Sequence, residues 1–295
     1  MSPGTTPGAG IRLSSLRELW VHTGTACNLS CPFCHEGSHP GDQRIEAPGF
    51  DELRPHLDAA AAAGVRRFSF TGGEPLILKE IVPILKHALG LAPCLVLTNG
   101  TAPLIRRPQH LVQLQGLAHA ATFHVSIDDP DETLHDAGRG LRNFRKALQG
   151  LKLLRDAGFA VGITCQQRPD VDATSRAARF RSLLRRQQLP TDLPIIALPE
   201  LGPPQSLVPA IAVAPDPQIA DGPFPPLCSR GRMVLRRAGS LRYTACPLVD
   251  DDAGFDISAQ LDDAIATAVL PRHRRCAICL GSGVDYGGDG RSVQA

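Results

Sequence analysis

Short alternating or wholly apolar runs are separated along this chain by longer stretches in which apolar residues recur at helical spacing. Leu16 to Thr23 alternates as a first strand. Phe50 to Ala63, rich in Ala and Leu, reads as a helix stopped by Gly64. A second strand over Arg66–Thr71 precedes a helix over Leu76–Leu89, closed by Gly90. The third strand, Cys94–Thr98, is followed by a helix over Pro103–Leu117 and a fourth strand over Ala121–Ile127. Leu141–Ala157 is the clearest amphipathic helix, and Phe159–Cys165, Ala173–Gln188 and Pro194–Leu198 supply a fifth strand, a basic helix and a sixth strand. This alternation predicts an α/β fold of parallel βα units, and six units fit an open, partial TIM-like (β/α)6 barrel. In such barrels functional residues gather at the C-terminal ends of the strands.

The rhythm does not cover the whole chain. Residues 1–15 are rich in Gly, Pro and Thr and read as a flexible leader; 16–205 hold the barrel, and a Pro-rich stretch makes 206–227 a linker. A small α+β unit is expected over 228–285, with 286–295 as a tail. Within that unit Val234–Cys246 reads as a hairpin turning at Ala238-Gly239, and Asp256–Leu270 as a helix.

The 295 residues are 43% hydrophobic and carry a net charge of +2, from 31 basic and 29 acidic residues. Nothing in this balance asks for nucleic acid. The densest basic run, Arg272 to Arg275, reads as a solvated or cluster-flanking patch. The first residues lack an apolar targeting core, and no stretch approaches the ~20 apolar residues of a membrane span. A cytoplasmic protein is expected, and in that compartment nine cysteines favour metal binding over disulfides.

Cys27, Cys31 and Cys34 follow the first strand at C-x3-C-x2-C spacing. Three thiolates this close suit one soft metal centre, as in iron–sulfur clusters. Zinc would want a fourth ligand, and the adjacent His35 is badly placed to supply it. A [4Fe–4S] cluster with three protein ligands leaves one iron open to a small molecule.

With Phe33 just before the last cysteine, this stretch resembles the radical S-adenosylmethionine (SAM) enzymes. The resemblance implies that the open iron chelates SAM and that an electron from the cluster cleaves it to a 5′-deoxyadenosyl radical, which abstracts a substrate hydrogen. It implies that Gly72, Gly73 and Glu74, in Thr71-Gly-Gly-Glu-Pro75, grip the SAM ammonium group, with Thr98-Asn99-Gly100 as a further match. It also implies that Ser126 and Asp128, two apart on one side of the fourth strand, reach the SAM ribose or the substrate. One of Arg139 and Arg142 could pair with the SAM carboxylate, although a solvated face is the plainer reading for both. His22, His35 and His124 read as packing or hydrogen-bonding residues.

Cys228, Cys246, Cys276 and Cys279 are spaced C-x17-C-x29-C-x2-C. Alone this pattern would suit zinc. Behind a radical SAM barrel it resembles a twitch domain, which implies a second [4Fe–4S] cluster. The four-cysteine tail is most similar to that of enzymes that epimerise or oxidise aminoglycosides and aminocyclitols in antibiotic biosynthesis, of which the neomycin-type epimerases are one group. That likeness implies an epimerase, a polycationic aminoglycoside as substrate and an electron donor such as flavodoxin or ferredoxin. An aminocyclitol dehydrogenase is the alternative. A non-catalytic iron–sulfur protein is a third reading, against which the intact Gly72-Gly73-Glu74 motif argues. An epimerase must return a hydrogen atom to the opposite face of a carbon radical, and a thiol is the usual donor. Cys94 opens a strand and reads as packing. Cys246 ranks ahead of Cys165 as the donor, with the ordinary cluster-ligand role of Cys246 kept open. Asp250–Asp252, Glu36, Asp42 and Glu46 are carboxylates that would draw ammonium groups to the mouth of the site.

Overall fold

The computed structural model describes residues 10–168, 170–202 and 225–286. Six parallel strands form its centre: β1 (Glu18–His22), β2 (Arg67–Thr71), β3 (Cys94–Thr98), β4 (Ala121–Ser126), β5 (Ala160–Gln166) and β6 (Ile195–Leu198). Each pairs with the next in chain order, so the βα alternation is realised as an open, partial TIM-like barrel. The connecting helices are α1 (Phe50–Ala62), α2 (Ile81–Leu91), α3 (Ala102–Ile105), α4 (Gln109–Val112), α5 (Glu132–Arg139), α6 (Asn143–Asp156) and α7 (Ala173–Arg186). All of β1 is buried, as expected of a strand covered on both faces. Leu19 and Val21 belong to the core beneath the helices, whereas Trp20 joins a second core with Leu95, Met233 and Leu235.

The C-terminal region continues the same sheet. β7 (Gly231–Arg237) lies parallel to β1, with Trp20 opposite Met233, and β8 (Ser240–Thr244) and β9 (Asp256–Ser258) follow antiparallel. The nine-stranded order is β6-β5-β4-β3-β2-β1-β7-β8-β9. The hairpin turns at Ala238 and Gly239, with φ of 50° and 78°. Positive φ at both central positions is what a two-residue hairpin with a type I′ turn needs. Two short helices complete the region, α8 (Leu261–Ala266) and α9 (Arg274–Ser282).

Several boundaries differ from the sequence pattern for identifiable reasons. The helix expected over Pro103–Leu117 divides into α3 and α4, because Pro108 has no N–H to continue the ladder. The helix of Asp256–Leu270 is instead β9 followed by α8; Asp256 and Ser258 pair with β8, the apolar Ile257 between them packs against the core, and the helix begins only at Leu261. α2 starts later than expected, after a single tight turn over Pro75–Ile77, and runs through Gly90. α5 has no counterpart in the sequence pattern; the Asp131 carboxylate caps it, accepting from Thr133 N at 2.9 Å and Leu134 N at 3.1 Å.

The described part of the leader is held in place. Ile11 is buried and exchanges backbone hydrogen bonds of 2.8 and 2.9 Å with Val269. Tyr286, assigned to the tail, is buried with its ring edge-on to Trp20 at 4.9 Å. Most of the expected linker lies outside the described residues. The basic run is not a solvated patch at its end: Arg275 is fully buried. Among the described residues no helix is long and apolar enough to cross a membrane.

Candidate active site

The cluster loop leaves the C-terminal end of β1 and is held from several sides. Thr25 N donates to Ile45 O at 3.0 Å, and Cys27 N to His39 O at 3.3 Å. Gly73 N and Glu74 N donate to the carbonyls of Gly24 and Ala26 at 2.9 and 3.0 Å. This approach explains the paired glycines: a Cβ on Gly73 would lie 2.3 Å from Ala26 O, and one on Gly72, at φ +136°, 2.6 Å from Gly24 O. The Thr-Asn-Gly turn also serves the loop. Asn99 Nδ2 donates to Asn28 Oδ1 at 3.0 Å, and Asn28 Nδ2 to Thr101 Oγ1 at 2.9 Å.

Cys27, Cys31 and Cys34 lie on the wall of one cleft, which holds about 1040 Å³ of empty space, open solvent included. Burial pushes the Cys27 thiol up to about 12 and raises Cys31 and Cys34 as well. Iron uptake there must therefore displace protons. Three thiols on one wall of a ligand-sized cleft fit an iron–sulfur cluster that shares the cleft with a cofactor.

The ends of the other strands complete the wall. Gly72 and Gly73 follow β2, Thr98 and Asn99 end β3, Ser126 and Asp128 end β4, and Cys165 ends β5. Glu74 is turned away from the cleft. Its buried carboxylate accepts from Leu76 N (3.1 Å), Thr98 Oγ1 (2.7 Å) and Asn99 N (2.7 Å), which ties the end of β2 to the end of β3. Asp128 is already paired: Arg139 Nε donates to its Oδ2 at 2.5 Å, and the guanidinium lies over the Phe33 ring at 5.6 Å. Arg139 thus belongs to the cleft rather than to a solvated face, since α5 turns it inward. Arg142 instead opens α6 at φ 65°.

The two thiols considered as hydrogen donors are separated. Cys165 lines the cleft, and burial pushes it up to about 12, so it holds its proton at neutral pH. Cys246 does not line the cleft. It shares a second cavity, of about 290 Å³, with Cys228, Cys276 and Cys279. The order of preference is therefore reversed, because the loop after β8 carries Cys246 into the tail's core. Cys276 and Cys279 sit three apart near the start of α9, hence on one face. Burial raises Cys228 to about 12 and Cys276 to about 11, and raises Cys246 strongly. Zinc thiolates crowd within roughly 4 Å of one another. Among the described residues, the group of three or more possible ligand atoms that closes to within 4.8 Å is His22, Glu36 and Asp250, not either cysteine set. The wider spacing of the cysteines suits a cluster better than a single ion. Cys94 is buried at the start of β3, its Sγ 3.6 Å from Ala92 O.

His22, Glu36 and Asp250 are all buried, between the cluster loop and the tail. His22 Nε2 lies 3.3 Å from Asp250 Oδ2 and 3.7 Å from Glu36 Oε2, while its Nδ1 accepts from Gly24 N at 3.1 Å. Burial alone would lower His22, but the two carboxylates outweigh it and raise it. Burial raises Glu36 to about 7 and lowers the neighbouring His35 to about 4.

The carboxylates expected around a polycation-binding mouth are mostly engaged elsewhere. Asp42 pairs with Arg44 at 2.6 Å, Glu46 with Arg236, and Asp251 with Arg275 at 3.1 Å, while Asp252 accepts from Gly254 N at 2.8 Å. Asp250 is buried behind the wall, which leaves Glu36 on the cleft. Arg275 also donates to the carbonyls of His35 (2.6 Å), Leu248 (2.9 Å), Gly202 (3.2 Å) and Leu201 (3.3 Å), binding the cluster loop to the tail. Sequence spacing carried no sign of this tie.

The family model described as the radical SAM superfamily matches residues 21–167. The AdoMet-dependent heme synthase of Nitratidesulfovibrio vulgaris is 31% identical over 141 residues, 45% of this chain and 36% of that protein. The probable GTP 3′,8-cyclase of Methanopyrus kandleri is 35% identical over 124 residues, 41% of this chain and 37% of that protein. The matches to these relatives span under half of their length. Among solved structures, Streptococcus suis SuiB bound to S-adenosylmethionine superposes with a TM-score of 0.53 at 18% identity, covering 64% of this chain and 42% of that one. Native anSMEcpe with bound AdoMet and Kp18Cys peptide gives 0.56 at 13% identity, covering 88% and 82%. The structural likenesses speak for the fold, and the names of these relatives are not those of epimerases. The match over residues 21–167, with the cysteine triplet on the wall of the cleft, shows that the chain carries a radical SAM domain of the radical SAM superfamily.

Proposed function

We propose that this protein is an epimerase that inverts one carbon of an aminoglycoside sugar, with Cys165 as the thiol that returns hydrogen. The observation that carries this reading is Cys165 on the wall of the same cleft as Cys27, Cys31 and Cys34, where burial raises its thiol and favours the S–H form. Cys27, Cys31 and Cys34 hold the first [4Fe–4S] cluster; Cys228, Cys246, Cys276 and Cys279 hold a second. When bound, SAM and its cluster supply a 5′-deoxyadenosyl radical, and the second cluster supplies a redox centre. The Gly72-Gly73 backbone and the Ser126 hydroxyl bind the polar groups of SAM, with the Asp128–Arg139 pair fixing the wall between them. Once a ring hydrogen has been abstracted, the Cys165 S–H bond breaks and a C–H bond forms on the opposite face. The thiyl left behind takes up one electron and one proton to become a thiol again. That electron comes from a flavodoxin- or ferredoxin-type donor.

A second reading, oxidation of an aminocyclitol, is supported by the four tail thiols gathered in one cavity, where a cluster could accept the electron of a substrate radical. The mass of the product separates the two. Reconstituted enzyme is given SAM, reductant and a panel of aminoglycosides, and both 5′-deoxyadenosine and product are measured. An isomer of unchanged mass supports the epimerase. A product lighter by two hydrogens supports the dehydrogenase. No 5′-deoxyadenosine with any member of the panel speaks against both.

A further inference from the structure

Arg232 is fully buried near the start of β7, against Cys228 of the second cavity. Its Nη1 donates to Cys228 O at 2.6 Å and to Gly231 O at 2.9 Å. Its Nε donates to Ala264 O at 2.8 Å and its Nη2 to Thr267 O at 2.9 Å, at the end of α8. All four acceptors are neutral, and among the described residues no carboxylate pairs with this side chain. The other cations near the tail cysteines are placed differently. Arg275 is 3.1 Å from Asp251, Arg230 is 3.3 Å from Asp285, and Arg272 is exposed. A guanidinium stays charged in proteins, and a buried charge without a counter-charge is costly. The carbonyls account for the donors of Arg232 and leave its charge unbalanced.

The four thiols of the second cavity are where a counter-charge can arise. Cysteine binds metal as the thiolate. Four thiolates around a [4Fe–4S] cluster make a unit with two negative charges, and with three once the cluster takes up an electron. The ionisable groups close enough to bear on Arg232 are Cys228 and Cys246, two of those four. Net charge and the hydrogen bonds around the sulfurs are among the factors that set the potential of such a cluster.

We infer that Arg232 is a positioning residue of the second cluster: it fixes the Cys228 turn through its carbonyl and supplies the buried positive charge that favours the cluster's reduced form. This rests on the reading of Cys228, Cys246, Cys276 and Cys279 as ligands of a [4Fe–4S] cluster, and it holds for an epimerase and a dehydrogenase alike. The added electron brings a third negative charge close to a fixed cation, away from water, where the attraction is strong. The cluster is therefore easier to reduce than it would be beside a neutral side chain.

The test is the potential of the second cluster, which does not depend on turnover. Reconstituted holoenzyme is titrated anaerobically with reductant, and both clusters are followed by electron paramagnetic resonance, the first being identified by its response to SAM. Arg232→Met and Arg232→Gln remove the charge. Arg232→Lys keeps the charge and gives up part of the hydrogen bonding. The two neutral variants should hold iron for both clusters, with reduction of the second made about tenfold less favourable, a fall of about 59 mV for one electron. The first cluster should not move. Arg232→Lys should bring the second potential back towards that of the wild type although its urea midpoint falls as well. An unaltered potential in the neutral variants, or an equal fall in Arg232→Lys, would overturn the inference and leave the cluster standing. Iron for one cluster only in the wild type, or zinc in the tail, would overturn the cluster and the inference together. Should the neutral variants fail to take up the second cluster, Arg232→Lys decides: loading in it alone supports the charge, and loss in all three makes the role of Arg232 purely structural and overturns the inference.

Discussion

At the scale of single residues, the cleft depends on contacts that have no room for change. Gly73 sits where a β-carbon would meet the carbonyl of Ala26, in the loop that carries the cysteines. Gly73→Ala should destabilise the protein by about 1–3 kcal/mol, the usual cost of overpacking, and displace the loop. Chemical denaturation should show the loss, and iron analysis should show the first cluster depleted. The cysteine triplet and the glycine pair were legible in the sequence because their chemistry is local. The direction of Glu74 was not. Its carboxylate is used between two strand ends by Thr98 and Asn99, a partnership that depends on how β2 and β3 align. Arg139 was hidden for a similar reason: an eight-residue helix too short to give a clear period turns it onto Asp128.

At the scale of elements, the parallel strands were readable because each is a short apolar run between helical stretches. The short pieces were not, because Pro108 and the three-residue β9 break the periods that a longer window detects. The β7–β8 turn was readable from Ala238-Gly239, and it carries a cost. Ala238 adopts φ 50°, a left-handed conformation that disfavours a β-carbon. Ala238→Gly should therefore raise stability by about 0.5–1 kcal/mol, the relief of that strain less the entropy of glycine in the unfolded chain. Equilibrium urea unfolding would register it as a higher midpoint with an unchanged slope.

At the scale of the whole molecule, the tail is joined to the barrel by the β1–β7 pairing and by buried Arg275. A basic run in the sequence gives no hint that one of its members is buried. Arg275→Met leaves Asp251 and four carbonyls without their donor, and should cost roughly 3–5 kcal/mol, the usual penalty for breaking a buried ion pair. Limited proteolysis should then cut first around the tail. Acid should act on the whole fold. His124 and His135 are buried and lowered by burial to about 4. Below the unfolded-state pKa of about 6.5 the unfolded chain binds protons that the folded one does not, so stability falls as pH drops from about 6.5 towards about 4. Each histidine should remove about 2 kcal/mol by pH 5, and His124→Gln should make the measured pH slope shallower.

The most direct test of the account is turnover in heavy water, comparing the wild type with Cys165→Ala. If Cys165 returns the hydrogen, the wild type yields an isomer carrying one solvent deuterium at the inverted carbon. Cys165→Ala should then form 5′-deoxyadenosine without epimer, while Cys246→Ala loses about four irons, those of one cluster. An epimer carrying deuterium from Cys165→Ala, or an isomer from the wild type without deuterium, would contradict the assignment of the donor.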